Sequence, residues 1–336
     1  MRSSLIMSAA FALAALAARA EMVDVRYTHD WKWEGPSAPF LMARDKGYFE
    51  EEGIDVTMDA GAGSRESIPR VASGAYDIGF GDVNSLIKFR DQNPEIELKA
   101  VLMVYNRPPF AIIGRRSLGV TEPKDLEGGV LGAPAPDAAY AQWNAFTEAA
   151  GIDASEVTIE NVGFPVREPM LARGEVDAVA GFSFSSFINL KAAGVPEDDI
   201  SVILMSEHGL DMYGNVIMVN PDFAEEHPEA VEGFIRALMR GVFETFENPE
   251  EAVEHVLDAN DVARAEVELE RLNMSIEQAF MGPELAEIGF GAIDEARFSR
   301  AIEQIAQTYE FQNPLPDPSA IFDDSFLPPK EERMVQ

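Results

Sequence analysis

The sequence predicts an α/β fold of two similar halves followed by a helical stretch, on three observations. The first is the unit from Val25 to Met58. Val23, Val25 and Tyr27 alternate with polar residues as in a half-buried strand, which runs into a loop with Asp30, Trp31, Trp33 and Glu34; a helical pattern and a second strand follow. The second is an echo: SGAYDIGFGD, from Ser73, returns 100 residues later as RGEVDAVAGF, each joining a helix to a buried strand. The third is that helical periodicity dominates from Pro221 onward.

Taken in order, Ser37 is placed to cap a helix carrying Phe40, Leu41, Ala43 and Tyr48, which Gly53 stops before the strand Ile54 to Met58. Gly61 and Gly63 permit close backbone approach, and Ser64 or Arg65 opens a helix that ends at Gly74. Gly61-Ala62-Gly63 lacks the lysine of a phosphate loop. Tyr76 to Phe80 reads as a strand and Ser85 to Arg90 as a helix. Leu98 to Tyr105 and Phe110 to Gly114 are extended runs interrupted by Arg107-Pro108-Pro109, which suits a crossing between lobes better than a strand inside a sheet. The pattern then starts afresh with the strand Gly129 to Ala133, the helix Ala138 to Ala149, the strand Val157 to Val162, the helix Arg167 to Gly174 and the strand Val176 to Gly181. Val202 to Met205 is a strand and Tyr213 to Val219 a second extended crossing. Helices follow over Ala230 to Glu247, Pro249 to Ala259, Ala263 to Gln278, Glu284 to Ile288 and Asp294 to Tyr309. The Pro-rich end, 314–336, reads as a surface loop.

With 336 residues the chain can bury a large core in one or two domains. Arg2, an apolar run from Leu5 to Ala17 and Ala18-Arg19-Ala20 read as a signal peptide over 1–20, cleaved near Ala20, so an exported, soluble protein without membrane insertion is expected. The chain has no cysteine, which excludes disulfides, thiolate metal sites and a thiol nucleophile. A formal net charge of −33 repels phosphate backbones and anionic lipid, so nucleic-acid partners are not expected. The four His residues show no metal-ligand spacing and no carboxylate pair has the context of acid and base catalysis, so neither metal, cofactor nor catalytic residue is assigned.

Candidate ligand contacts come from strand ends. Trp31 and Trp33, two apart in an extended loop, face one way and can stack on a flat or cationic solute, or one of them packs as core. Asp30 and Glu34 can receive ligand N–H groups; Asp30 can also simply cap the turn. Ser64 and Arg65 stand at a helix start able to hold a carboxylate or sulfonate, or only to cap it. Asp82 and Asn84 follow another strand end. Asp137 and Tyr140 open the corresponding helix of the second half, where Trp143 is expected in the core. Arg167 can grip an anion bidentately or pair with Glu168 or Asp137. Phe182 and Phe184 lie on one side of the chain, in core or cleft. Tyr213 and Asn215 stand at the second crossing, and His29 is expected to be structural.

The segments HDWKWEGPSAPFLMARDKGYFEEEGIDV, GAGSRESIPRVASGAYDIGFGD, PKDLEGGVLGAP, MLARGEVDAVAGF and NPEEAVEHV, in this order, resemble periplasmic solute-binding proteins of ABC importers. More narrowly, they resemble the group that binds nitrate, taurine, alkanesulfonates and thiamine pyrimidine precursors, and the Asp-Trp pair is nearest the pyrimidine-precursor branch. The resemblance implies a type II, Venus-flytrap α/β fold of two lobes joined by two crossing strands, closing on a small-molecule solute that is passed to an ABC permease and its ATPase. Lobe one is expected over 21–109 and 215–313, lobe two over 110–214, and the protein is expected to be a monomer. The same fold includes thiamine pyrimidine synthases, which use a cysteine-rich iron motif and a cofactor-binding Lys; without cysteine, this chain is expected not to be an enzyme. A sensory receptor would need a transmembrane segment or signalling module that the sequence does not show. The favoured solute is a flat nitrogenous compound such as a pyrimidine precursor; the alternative is a sulfonate or other small organic anion held by Arg65 or Arg167.

Overall fold

The computed structural model describes residues 22–335; the signal-peptide reading of 1–20 lies outside them. The first half begins as its alternation requires: in β1 (Val23–Thr28), Val25 and Tyr27 point into the core while Asp24 and Arg26 face out. Next come α1 (Ala38–Asp45), β2 (Ile54–Asp59), α2 (Ser64–Ala72), β3 (Ile78–Asp82), α3 (Val83–Gln92) and β4 (Lys99–Met103). The second half contains β5 (Phe110–Arg115), β6 (Val130–Ala133), α4 (Trp143–Ala150), β7 (Thr158–Asn161), α5 (Phe164–Arg173), β8 (Ala178–Phe182), α6 (Ser183–Ala192) and β9 (Ile200–Leu204). The chain then returns through β10 (Asn215–Val219) to α7 (Pro228–Glu247), α8 (Pro249–Ala259), α9 (Ala265–Ser275) and α10 (Glu295–Ala306).

Among the described residues these strands form two five-stranded sheets, ordered β2-β1-β3-β10-β4 and β7-β6-β8-β5-β9. In each sheet three parallel strands are followed by one antiparallel strand, β10 in the first and β5 in the second. That strand is in both cases the first one the chain makes after crossing between lobes. The extended runs at Phe110 and Tyr213 therefore continue into sheet interiors, and the crossings proper are 104–109 and 205–214. The two run side by side: Tyr105 N donates to Asn215 O at 2.9 Å and Gly214 N to Tyr105 O at 2.9 Å.

The 100-residue echo has a structural counterpart. Asp77 N donates to Arg26 O and Asp77 Oδ2 accepts from Arg26 N; Asp177 repeats both bonds on Val130, and each pair measures 2.9 and 2.8 Å. The turns before them use Gly74 and Gly174 at φ 72° and 70°, which a side chain would strain.

Several local expectations shift. The first helix breaks at Gly47, φ 76°, and resumes for one short turn at Tyr48–Glu51. Ser37 does not cap it with its side chain; it forms a reciprocal capping box with Glu34 around the 3₁₀ turn Gly35–Ser37. The helix expected from Ala138 starts at Trp143, because 140–142 wind as a 3₁₀ turn. The end of the chain is docked on lobe one: Ile321 and Phe322 are buried, Phe322 bridges Ala100, and the Arg333 guanidinium donates to Pro328 O, Ile288 O and Phe290 O. No described helix is long and apolar enough to cross a membrane.

In lobe one, Tyr27 stacks between Phe40 and Phe234, with ring centroids 5.7 Å away on both sides, so β1, α1 and α7 share one aromatic core. α7 approaches α1 so closely at Gly241 that a Cβ there would lie 2.4 Å from Pro39 O. Gly241→Ala is therefore expected to cost about 1–3 kcal/mol, despite the better helix propensity of alanine, seen as a lower urea midpoint at unchanged m-value.

Candidate functional site

The carboxyl ends of the parallel strands of both sheets face one slot between the lobes, the position at which open α/β sheets place ligands. Lobe one contributes His29, Asp30, Trp31, Lys32 and Glu34 after β1, Pro36 and Ser37 at the entry to α1, and Gly63 and Ser64 before and at the start of α2. Lobe two contributes Asp137 and Ala138 after β6, Phe164 and Arg167 from α5, and Phe182, Phe184 and Ser185 around the start of α6; Tyr105 comes from the first crossing. The slot and its mouth together hold about 550 Å³ of empty space. It is narrow, because side chains and loops of the two lobes touch across it.

Two aromatic rings meet across it. Trp31 of lobe one and Phe164 of lobe two lie edge to face with centroids 4.7 Å apart at 72°. The loops beside them touch nearly backbone to backbone: a Cβ on Gly63, at φ 109°, would lie 3.0 Å from Pro136 O. Gly61 is as tightly placed, 2.3 Å from His29 O by the same measure.

Asp30 is the buried carboxylate of the slot. Its Oδ2 accepts from Asn215 Nδ2 at 2.7 Å and Ser64 Oγ at 3.0 Å, while Oδ1 accepts from no other described side chain. Burial raises its pKa to about 7, against the opposing hydrogen bonds of Ser64 and Asn215. Next to it, burial lowers His29 to about 3, so the ring is neutral; its nitrogens meet Tyr27 Oη at 2.7 Å and Ser37 Oγ at 3.3 Å, and it stacks on Phe80. His29 is thus structural and a wall of the slot at once.

The guanidinium in the slot is already neutralised. Arg167 pairs with Asp137 Oδ2 at 2.9 Å and Glu168 Oε1 at 2.7 Å and donates to Ala180 O at 3.0 Å, all buried. Both carboxylates that the sequence offered as partners are taken. Trp31 Nε1 donates to Glu34 Oε2 at 3.2 Å, and Glu34 pairs with Arg271 of α9 at 2.6 Å.

The structure therefore brings together Asp30, Trp31, Glu34, Ser64, Asp137, Arg167, Phe182 and Phe184. It places the remaining candidates behind or beside the slot. Trp33 is half-buried at the edge of the core and packs against His29, centroids 5.2 Å apart. Arg65 is exposed and reaches Ala135 O at 2.8 Å. Asp82 caps α3 through Asn84 N and Ser85 N, and Asn84 Nδ2 donates to Tyr213 O at 2.7 Å. Tyr140 N donates to Asp137 Oδ1 at 3.0 Å, and Glu168 serves Arg167. Tyr213 is buried at the second crossing, bonded to Glu284 and Asp294 N; Asn215 acts on the slot through Asp30. Trp143 is in the core, as expected.

Lys32, Tyr105, Phe164 and Ser185 were not anticipated. Phe164 had a signal: it stands 100 residues after Ser64, and the echo makes the two positions equivalent. Asp82 and Phe182 are matched in the same way, so the side-chain cap of α3 becomes, in lobe two, an aromatic ring in the slot.

A family model described as NMT1/THI5 like matches residues 35–252, well over half of the sequence. The chain belongs to this family. The curated members it resembles include the riboflavin-binding protein RibY of Chloroflexus aurantiacus, 25% identical over 87% of this chain and 82% of that one. The formylaminopyrimidine-binding protein of Halalkalibacterium halodurans is 27% identical over 74% of this chain and 76% of its own. A 4-amino-5-hydroxymethyl-2-methylpyrimidine phosphate synthase of Aspergillus parasiticus is 23% identical over 71% of each chain. Among solved structures, the alkanesulfonate-binding protein SsuA of Xanthomonas axonopodis pv. citri superposes with a TM-score of 0.68 over 90% of this chain and all of that one, at 13% identity. The family's two-lobed periplasmic binding protein fold is thus the fold of this chain.

Removing the Arg167 charge leaves Asp137 and Glu168 buried and unpaired. Arg167→Met is expected to lower stability by about 3–5 kcal/mol in denaturant unfolding, a larger loss than removing a surface ion pair would cause.

Proposed function

We propose that this protein is the solute-binding component of an ABC-type importer, and that it carries a small, flat, nitrogenous ring in the interlobe slot. The observation that carries the reading is the pairing of a narrow slot, walled by Trp31 and Phe164 from opposite lobes, with the half-satisfied buried carboxylate of Asp30. A planar heterocycle can stack on one of these two rings while an N–H of its edge fills Asp30 Oδ1. Relatives named for riboflavin and formylaminopyrimidine, both ring compounds, support the same class.

The alternative of a sulfonate or similar anion is less well served. Arg167 has its charge spent on two carboxylates and Arg65 points elsewhere, which leaves Lys32 as the slot cation without an ion pair among the described residues, set against Asp30, Glu34 and Asp137. The carrier reading is also preferred over catalysis, although synthases occur among the relatives. The resemblance to those enzymes implies a cysteine-rich iron motif, and the sequence has no cysteine. Recognition by a permease would follow closure of the lobes, a population shift that the bridging ligand drives.

A thermal-shift screen of the protein with riboflavin, formylaminopyrimidine, taurine, an alkanesulfonate and nitrate tests the class. A ring compound at about 100 times its dissociation constant is expected to stabilise the fold by about 2.7 kcal/mol. Trp31→Ala is expected to weaken that binding at least about tenfold by calorimetry, the loss of one stacking contact. A response confined to taurine, the sulfonate or nitrate, unchanged by Trp31→Ala, would sink the proposal.

Asp30 sets the pH dependence. Below pH about 7 the free protein holds a proton on Asp30, which a ligand N–H must displace. Affinity is therefore expected to rise with pH by up to about tenfold per unit below that value and to level off above it. Asp30→Asn should remove the slope; a slope of opposite sign would mean that protonated Asp30 donates to a ligand acceptor.

A further inference from the structure

A second cavity lies beside the slot, with lobe one contributing α2, α3 and the end of α10's segment, and lobe two the turn before α4 and α4 itself. It holds about 1000 Å³ of empty space counting its mouth. Two cations line it, Arg65 and Lys88, and no aspartate or glutamate does, in a chain of net charge −33.

Neither cation forms an ion pair among the described residues. Lys88 Nζ donates to two neutral oxygens of lobe two, Ala141 O at 2.8 Å and Gln142 Oε1 at 3.0 Å, and sits 5.7 Å from the centre of the Tyr309 ring. Arg65 Nη1 donates to Ala135 O, also in lobe two. The nearby carboxylates are committed elsewhere. Asp82 accepts from the backbone and side chains of Asn84 and Ser85, and Asp91 accepts from Tyr309, Gln312 and Asn313. Burial lowers Lys88 to about 8; Asp82 opposes that shift and the Arg65 charge adds to it. A mostly buried ammonium facing a like charge without a counter-ion is an uncompensated cost to the closed arrangement.

We infer that this second cavity takes a small oxyanion of the phosphate or sulfate kind, free or carried as a monoester, bound between Lys88 and Arg65. The anion supplies the missing counter-charge to both side chains at the moment when both are bonded to lobe two. Its binding is therefore coupled to closure, and by linkage it raises affinity for the solute in the slot by the same factor as the solute raises affinity for it. The assignment of this site does not depend on which solute the slot takes.

Isothermal titration of the purified protein with inorganic phosphate and, separately, phenyl phosphate, at ionic strength held constant with chloride, tests this. Saturable binding of one anion per chain is expected, weakened at least about tenfold by Lys88→Gln and by Arg65→Gln. Lys88→Gln retains a hydrogen-bond donor to lobe two, and its circular dichroism spectrum and melting curve show whether it folds. Binding of inorganic phosphate assigns the free ion, and binding of phenyl phosphate alone assigns an ester group. Absence of saturable binding by both, or binding that survives in both variants but is lost in Lys32→Ala at the slot, would overturn the inference.

Discussion

The hydrogen bonds on Asp30 Oδ2 tie together three parts of the chain that are far apart in sequence. Asp30 ends the first strand segment, Ser64 opens α2, and Asn215 begins the strand that returns from lobe two. One buried oxygen thus sets the first recognition loop, the second loop and the crossing relative to one another. Gly63 N donating to Asp30 O at 2.6 Å adds a backbone bond to the same junction. Because the groups are buried, each bond is worth more than it would be at the surface, and leaving one unmade would cost the full desolvation of its partner. The slot is built on that junction, and the other carboxylate oxygen of Asp30 accepts from no described side chain.

Charge in the cleft is arranged by the same economy of partners. Arg167 is balanced by Asp137 and Glu168, and Arg271 by Glu34 and Glu268, so both guanidinium groups beside the slot are consumed by the protein itself, while Lys32 at its rim forms no ion pair among the described residues. Arg271 also donates to Asn189 of lobe two at 3.2 Å, and Lys191 pairs with Glu270, so the helical segment of lobe one clasps α6. The other rim is closed by Arg65 and Lys88 on backbone and amide oxygens. One rim therefore carries compensated charge and the other does not.

The α/β character, the repeat and most element positions were legible because each rests on local pattern: alternation in β1, glycine turns at 74 and 174, and the long amphipathic helices after Pro228. Half of the candidate side chains line the slot for the same reason, as they follow strand ends. What the sequence could not separate was direction. Trp31 and Trp33 share a residue type and lie two apart, yet one enters the slot and the other packs on His29, since the loop bends at residues 30, 31 and 33 instead of running extended. Arg167 could be assigned to a ligand or to either acid, and only the tertiary placement of Asp137 shows that both acids are used at once. Lys88 carries no distinguishing pattern in the sequence; its contacts with Ala141 and Gln142 arise only from the approach of lobe two.

The placement of the antiparallel strands has a consequence for the order of folding. All five strands of lobe two lie between Phe110 and Leu204, so its sheet is complete before the return crossing has been made. Lobe one is different: β3 and β4 both wait for β10, which arrives after the whole of lobe two. Until then its sheet is split, with unpaired edges on both sides of the gap. Lobe two can form from contiguous chain, whereas lobe one closes last, on contacts of high sequence separation that are slow to find. A chain threaded out from its amino terminus would therefore finish first the domain it began second.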